Sequence, residues 1–246
     1  KTLLKTTLLV LFMAGCSWSA VNKQGSGMMK GPSTTSDEEQ WETFLRLMDD
    51  ADELREITGF LDQHQDFVNS KHWWTKDTDY TPLHYAAEQG DLEVVKALIA
   101  RGAEVNVKTG DDITPLHYAV ASGHLDVVEY LFKVLKEQYD QEEYLDSKDN
   151  DGVSPLHIAV RGGYEDLTKL ITIETPNAIK TEANDGNTAL HLAAYLGSSR
   201  IVDVLLSSPA IDRAVLTKQN SGGKTPLDVA KKEEIKRKLE ERLNNL

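Results

Sequence analysis

Thr81-Pro82-Leu83-His84 decides how this chain is read, because the same four-residue pattern comes back four more times. It recurs as Thr114-Pro115-Leu116-His117, Ser154-Pro155-Leu156-His157, Thr188-Ala189-Leu190-His191 and Thr225-Pro226-Leu227-Asp228, at spacings of 33, 40, 34 and 37 residues. Self-similarity at such a period marks stacked supersecondary units. The chemistry of each copy reads as a helix start. Thr or Ser caps the first turn, and proline gives up a backbone N–H that has no intrahelical partner there anyway. Nine residues after each of the first four caps stands Gly90, Gly123, Gly163 or Gly197, the residue that best adopts the left-handed conformation ending a helix. Between cap and glycine, Ala86-Ala87, Ala119, Ala159 and Ala193-Ala194 leave room for close helix packing. A second apolar run comes next, such as Leu92-Glu93-Val94-Val95-Lys96-Ala97-Leu98-Ile99. Each unit is apolar on both flanks, so only stacking on neighbours buries it.

This pattern resembles the ankyrin repeat, and Gly102-Ala103-Glu104-Val105-Asn106 matches the way that family's repeats end. The resemblance implies an all-α ankyrin-repeat solenoid, helix–turn–helix pairs with β-hairpin fingers: five repeats over residues 70–246 plus a degenerate N-terminal capping repeat over residues 38–69. The cap lacks the motif but keeps two apolar stripes at helical spacing: Trp41, Phe44, Leu45 and Met48, then Leu54, Ile57, Phe60 and Leu61. The fifth unit is short and ends in KKEEIKRKLEERLNNL, residues 231–246, a C-terminal cap. Two stretches break the period. Four residues are inserted around Ser70-Lys71-His72-Trp73-Trp74, and about seven in residues 131–145, enough for two extra helical turns.

Three apparent chemical motifs have structural explanations. His84, His117, His157 and His191 recur once per unit, so they form a row and cannot converge on one metal ion. In ankyrin repeats this histidine bonds the turn backbone of a neighbouring unit. Gly223-Lys224-Thr225 resembles the end of a phosphate loop, but Lys218 stands where that motif needs glycine. The basic residues of the last helix are interleaved with Glu233, Glu234, Glu240 and Glu241, which nearly cancel them. No nucleophile elbow, zinc-binding helix or paired-carboxylate pattern is visible. The chain therefore reads as no enzyme, with no catalytic residue, metal or cofactor, and no small-molecule substrate.

In ankyrin proteins, partners dock on the hairpin tips and on the concave face of the first helices. Carried onto this chain, those positions select Asp77, Tyr80, Glu88 and Gln89, then Asp111 and Ile113, then Asp151, Val153 and Arg161, then Asn187, Tyr195 and Leu196. Tyr80, Ile113, Val153, Tyr195 and Leu196 are apolar or aromatic where polarity would be free. They are either interface anchors or residues that pack against neighbouring hairpins. The acidic tips would steer a basic partner, but Asp is also a residue that turns favour. Trp73 and Trp74, adjacent in an insertion, either plug the gap between cap and first repeat or form a sticky patch.

The amino terminus carries a different signal. Lys1 and Lys5 precede an uncharged run through Leu8 to Ala14, the layout of a secretory signal peptide. Its ten residues from Thr6 to Gly15 make about 15 Å of helix, half of what a membrane span needs. The run ends in Met13-Ala14-Gly15-Cys16, which resembles the lipobox of bacterial lipoprotein precursors. That resemblance implies cleavage after residue 15 and acylation of Cys16, with Ser17 at the next position directing the chain to the outer membrane. The alternative is ordinary signal-peptide cleavage after Ser19 and secretion. Two or three acyl chains would anchor the chain, at about 0.8 kcal/mol per buried methylene. Residues 16–37 then form a Ser/Gly/Thr-rich tether reaching about 25 Å.

Composition agrees with this division of labour. The chain holds one cysteine in 246 residues, so no intramolecular disulfide is available. Its 40 acidic against 27 basic side chains give a formal charge of −13. That excludes a sequence-independent nucleic-acid binder and opposes attachment to anionic lipid by charge. Loss of residues 1–15 takes Lys1 and Lys5 and leaves −15. The sequence as a whole implies a lipid-anchored protein of the cell envelope, facing the periplasm or the cell surface, that binds a protein partner. The alternative is an accessory or inhibitory subunit of an envelope enzyme or toxin.

Overall fold

The structure is a computed structural model, and it describes residues 35–49, 54–71, 79–139 and 145–246. Cys16, the leader and most of the tether, together with Trp73, Trp74 and Asp77, lie outside the described residues.

Two helices open the described chain, α1 (Thr35–Asp49) and α2 (Leu54–Gln63), with a 3₁₀ turn after them at Gln65–Asn69. Their apolar stripes meet in an aromatic cluster. Phe67 lies 5.1 Å from Trp41, 5.2 Å from Phe44 and 5.2 Å from Phe60 between ring centroids, and Tyr85 of the next helix joins at 6.2 Å from Phe44. Polar contacts tie this helix pair to the first full repeat. Arg101 donates to Asp62 at 2.7 Å, and Asn69 bonds both the Gly102 carbonyl and the Glu104 N–H at 2.9 Å.

Each repeated motif then starts a helix, and a second helix begins beyond the glycine. The pairs are α3 (Pro82–Gln89) with α4 (Leu92–Ala100), α5 (Pro115–Ser122) with α6 (Leu125–Gln138), and α7 (Pro155–Gly162) with α8 (Glu165–Glu174). They continue with α9 (Ala189–Leu196) and α10 (Ser199–Leu206), a short helix α11 (Arg213–Thr217), then α12 (Pro226–Val229) and α13 (Glu233–Asn244). Helices α3, α5, α7, α9 and α12 contact one another in sequence as an inner row, and α4, α6, α8, α10 and α13 form the outer row. The core runs continuously between the rows. Ala86, Ala87, Ala119, Ala159, Ala193 and Ala194 are fully buried where inner helices approach.

Gly90, Gly123, Gly163 and Gly197 end the four full inner helices with φ between 73° and 81°. The turns between units need the same left-handed backbone two residues before each cap. There stand Asp79 (φ 71°), Asp112 (φ 60°), Gly152, Gly186 and Gly223. A Cβ at Gly186 would come within 2.7 Å of the Ser221 backbone nitrogen, so close approach as well as φ requires glycine there.

One expected feature takes a different form. Among the described residues the fingers are tight turns, not paired strands, with an isolated antiparallel bridge between Glu182 and Thr188. Successive fingers are stitched through backbone groups instead. Asn150 N–H donates to the Asp111 carbonyl at 3.0 Å, Asn184 N–H to Asp151 at 2.9 Å, and Ser221 N–H to Asp185 at 3.0 Å.

Candidate protein-binding surface

The histidine of the motif has two jobs, one within its repeat and one across to the next. Inside the turn, the Thr81 N–H donates to His84 Nδ1 at 3.1 Å, and the same bond forms from Thr114 to His117, Ser154 to His157 and Thr188 to His191. With Nδ1 accepting, Nε2 carries the proton. It donates across the interface to the carbonyl just before the next cap: His84 to Ile113 at 3.2 Å, His157 to Asn187 at 3.1 Å, His191 to Lys224 at 3.0 Å. His117 is the exception, since its buried Nε2 makes no hydrogen bond. The imidazoles are consequently held neutral. Burial pushes His84 down to about 3 and His117 and His157 to about 4, and it lowers His191 as well.

Packing between repeats buries most of the residues selected just before each cap. Tyr80, Ile113 and Val153 are only 7%, 9% and 7% exposed. Sequence position alone leaves them open as interface anchors; the structure corrects this and makes them core. The carbonyls of Ile113 and Asn187 receive the histidine bond, which draws that register of the turn against the preceding repeat. Glu88 is a further correction, buried on the inner row with its carboxylate accepting from the Tyr80 hydroxyl at 2.6 Å. Tyr80 also stacks on His84 and meets Tyr118 edge-on, both at 5.3 Å. Burial among these groups, and the neighbouring Glu88 charge, raise the Tyr80 hydroxyl well above its ordinary range.

The remaining selected residues within the described chain are exposed or half-buried. Asp111 and Asp151 are exposed at the fingertips, although their backbone carbonyls are used in the stitching. Gln89 and Arg161 are half-buried at the ends of α3 and α7. Asn187 is half-buried and occupied, donating to Asp185 at 2.7 Å and accepting from Asn220 at 2.8 Å. Tyr195 and Leu196 are 50% and 45% exposed at the end of α9. Turn geometry accounts for part of the acidic ridge: Asp149 accepts from the N–H groups of Asp151 and Val153, and Asp185 from that of Asn187.

Two contributors carry no sequence signal strong enough to select them. Lys231 places its ammonium 3.6 Å from the centre of the Tyr195 ring. Lys232 donates to the Gly197 carbonyl at 2.6 Å, where the C-terminal end of α9 favours a cation. The asparagines that reinforce the fingers, Asn150 and Asn184, do have a signal, since each stands four residues before its cap.

The family described as "Ankyrin repeats (3 copies)" matches residues 59–142, 83–181 and 132–220, together more than half of the chain. This chain belongs to the ankyrin-repeat family. Ankyrin repeats serve protein–protein interaction, and proteins built from them are typically interaction scaffolds rather than enzymes. No curated protein matches the chain. Among the described residues, no group of His, Cys, Asp and Glu is arranged to hold a metal ion, and no helix is long and apolar enough to cross a membrane.

Proposed function

We propose that this ankyrin-repeat chain is a lipid-anchored envelope protein that captures a protein partner on its fingertips and inner-row helix ends. In this reading residues 1–15 are a signal peptide, Cys16 carries the lipid and residues 16–37 are the tether. Residues 38–69 cap five repeats. The reading of the binding face rests chiefly on one observation. The motif histidines and most apolar side chains are spent inside the stack, whereas Asp111 and Asp151 at the fingertips and Tyr195 and Leu196 at an inner-row helix end are exposed, with Arg161 half-buried at another. Such a mixture of aromatic and polar groups suits protein recognition. Attachment through lipid is consistent with the charge of −13, which opposes attachment by electrostatics.

The test has two arms. Palmitate labelling and membrane fractionation of the full precursor should both be lost in Cys16→Ser; unchanged fractionation would sink the anchor. Chemical cross-linking in the native envelope, with subsequent purification of the chain, should recover one dominant protein. That recovery should fall at least fivefold in Asp151→Lys/Tyr195→Ala. A partner that binds equally well to this variant would place the binding face elsewhere. Enzymatic activity in the recovered partner that changes on binding would favour the accessory-subunit reading.

A further inference from the structure

The inner face changes character toward its C-terminal end. Seven and eight residues after the cap, the first two inner helices carry Glu88-Gln89 and Ala121-Ser122, whereas the next two carry Arg161-Gly162 and Tyr195-Leu196. The adjoining element explains why Tyr195 and Leu196 remain open. Inner helix α12 stops after one turn at Val229, so no second turn lies alongside the end of α9. The chain leaves Ala230 in extended conformation, and Lys232 is extended too. This course brings Lys231 over the Tyr195 ring.

The charges around this opening are unevenly spent. Glu165 faces Arg200 at 3.8 Å, Glu233 faces Lys236 at 2.6 Å, and Asp203 and Glu234 share Lys238 at 2.7 and 3.2 Å. Among the described residues Lys231 makes no salt bridge, whereas Arg161 is drawn on by the Asp149 carboxylate. An exposed tyrosine and leucine thus stand beside a cation, Lys231, that is not engaged in an ion pair, in a protein whose net charge is −13. The overall charge does not cancel the local one, because screening confines exposed charges to about 8 Å at physiological salt. The ring also holds the Lys231 ammonium in position, so a bound carboxylate orders less of that side chain.

We propose that Tyr195, Leu196 and Lys231 form a docking site for an acidic peptide segment of the partner protein. An apolar side chain of that segment rests on Tyr195 and Leu196, and a neighbouring carboxylate meets Lys231. The inference builds on the protein-binding role above and names the chemistry of the partner: acidic, where the fingertip aspartates alone would have suggested basic.

A random-peptide phage library panned on the full chain supplies the probe, and enriched peptides are measured by fluorescence anisotropy at about 50 and 300 mM salt. The expected winners carry Asp or Glu next to Leu, Ile or Phe and bind several-fold more weakly at the higher salt. Lys231→Glu and Tyr195→Ala should each cost at least tenfold in affinity while circular dichroism and the melting temperature stay unchanged. Lys231→Arg should bind nearly as well as the native chain. Winners without acidic residues, or winners insensitive to both substitutions yet lost in Asp111→Lys/Asp151→Lys, would overturn the site and leave the protein-binding role standing. Displacement by poly-uridine and not by poly-glutamate would overturn the peptide assignment. Recovery of no specific peptide would overturn both readings.

Discussion

The motif histidines set a pH limit on the fold. Each accepts at Nδ1 from the backbone of its own capping turn, and His84, His157 and His191 donate from Nε2 to the next repeat, so a second proton would break the bond at Nδ1. Their folded values lie below the ordinary 6.5, at about 3 for His84 and about 4 for His117 and His157. The unfolded chain therefore takes up protons first as the pH drops. The stabilisation is complete above about pH 6.5 and is lost progressively toward pH 3–4, at about 1–2 kcal/mol per histidine by pH 5. Asp146 and Asp149 act in the opposite direction, because burial raises their carboxyls and favours their protonated folded form at lower pH. Three deeply buried histidines outweigh them above pH 5, where carboxylates in the unfolded chain are still ionised. Urea unfolding should show a midpoint that falls between pH 7 and pH 5, and a flat or rising midpoint would contradict the neutral-histidine arrangement.

Helix lengths carry the differences between otherwise similar repeats. Outer helix α6 has 14 residues where α4 has 9, so the insertion after the second motif is spent partly on lengthening this helix. The added part is packed: Val134 and Leu135 are buried, and Lys136 pairs with Glu174 of α8. Leu135→Ala should cost about 2–5 kcal/mol in chemical unfolding, the range for a truncated core leucine. A loss below about 1 kcal/mol would mean that the extension frays in solution. Shortening has the converse effect at α12, whose single turn leaves the end of α9 uncovered. Both changes are visible as altered spacing in the sequence. Their effects on the surroundings depend on the neighbouring repeat and cannot be read from spacing.

The described residues form a stack whose members contact mainly their immediate neighbours. At the C-terminal end, α13 buries Ile235 and Leu239 against the last pair. Deleting residues 230–246 removes both side chains from the core. At about 1.5–3 kcal/mol for each fully buried aliphatic, the truncated chain should lose about 3–6 kcal/mol in urea unfolding. An unchanged midpoint would show that α13 lies outside the cooperative unit. The helix pair before the first full repeat packs through aromatic contacts, with Trp41, Phe44, Phe60 and Phe67 meeting Tyr85 of the first inner helix or one another.

The sequence by itself determined the repeat, the helix starts and their caps, because proline at the first turn, the capping hydroxyl and the closing glycine act through local backbone geometry. It also identified the row of histidines as structural, since a once-per-repeat residue cannot converge on one point. Only the tertiary structure decided which candidate residues remain accessible. Tyr80, Ile113 and Val153 occupy the same register of tight turns, and nothing in their spacing tells inward from outward; packing across the stack buries all three, with the His84 bond to the Ile113 carbonyl and the contacts of Tyr80 with His84, Tyr118 and Glu88. Tyr195 and Lys231, 36 positions apart, meet because a shortened helix lets the chain fold back over the ring. Exposure and charge pairing are properties of neighbours across the stack, and those are settled by packing rather than by local pattern.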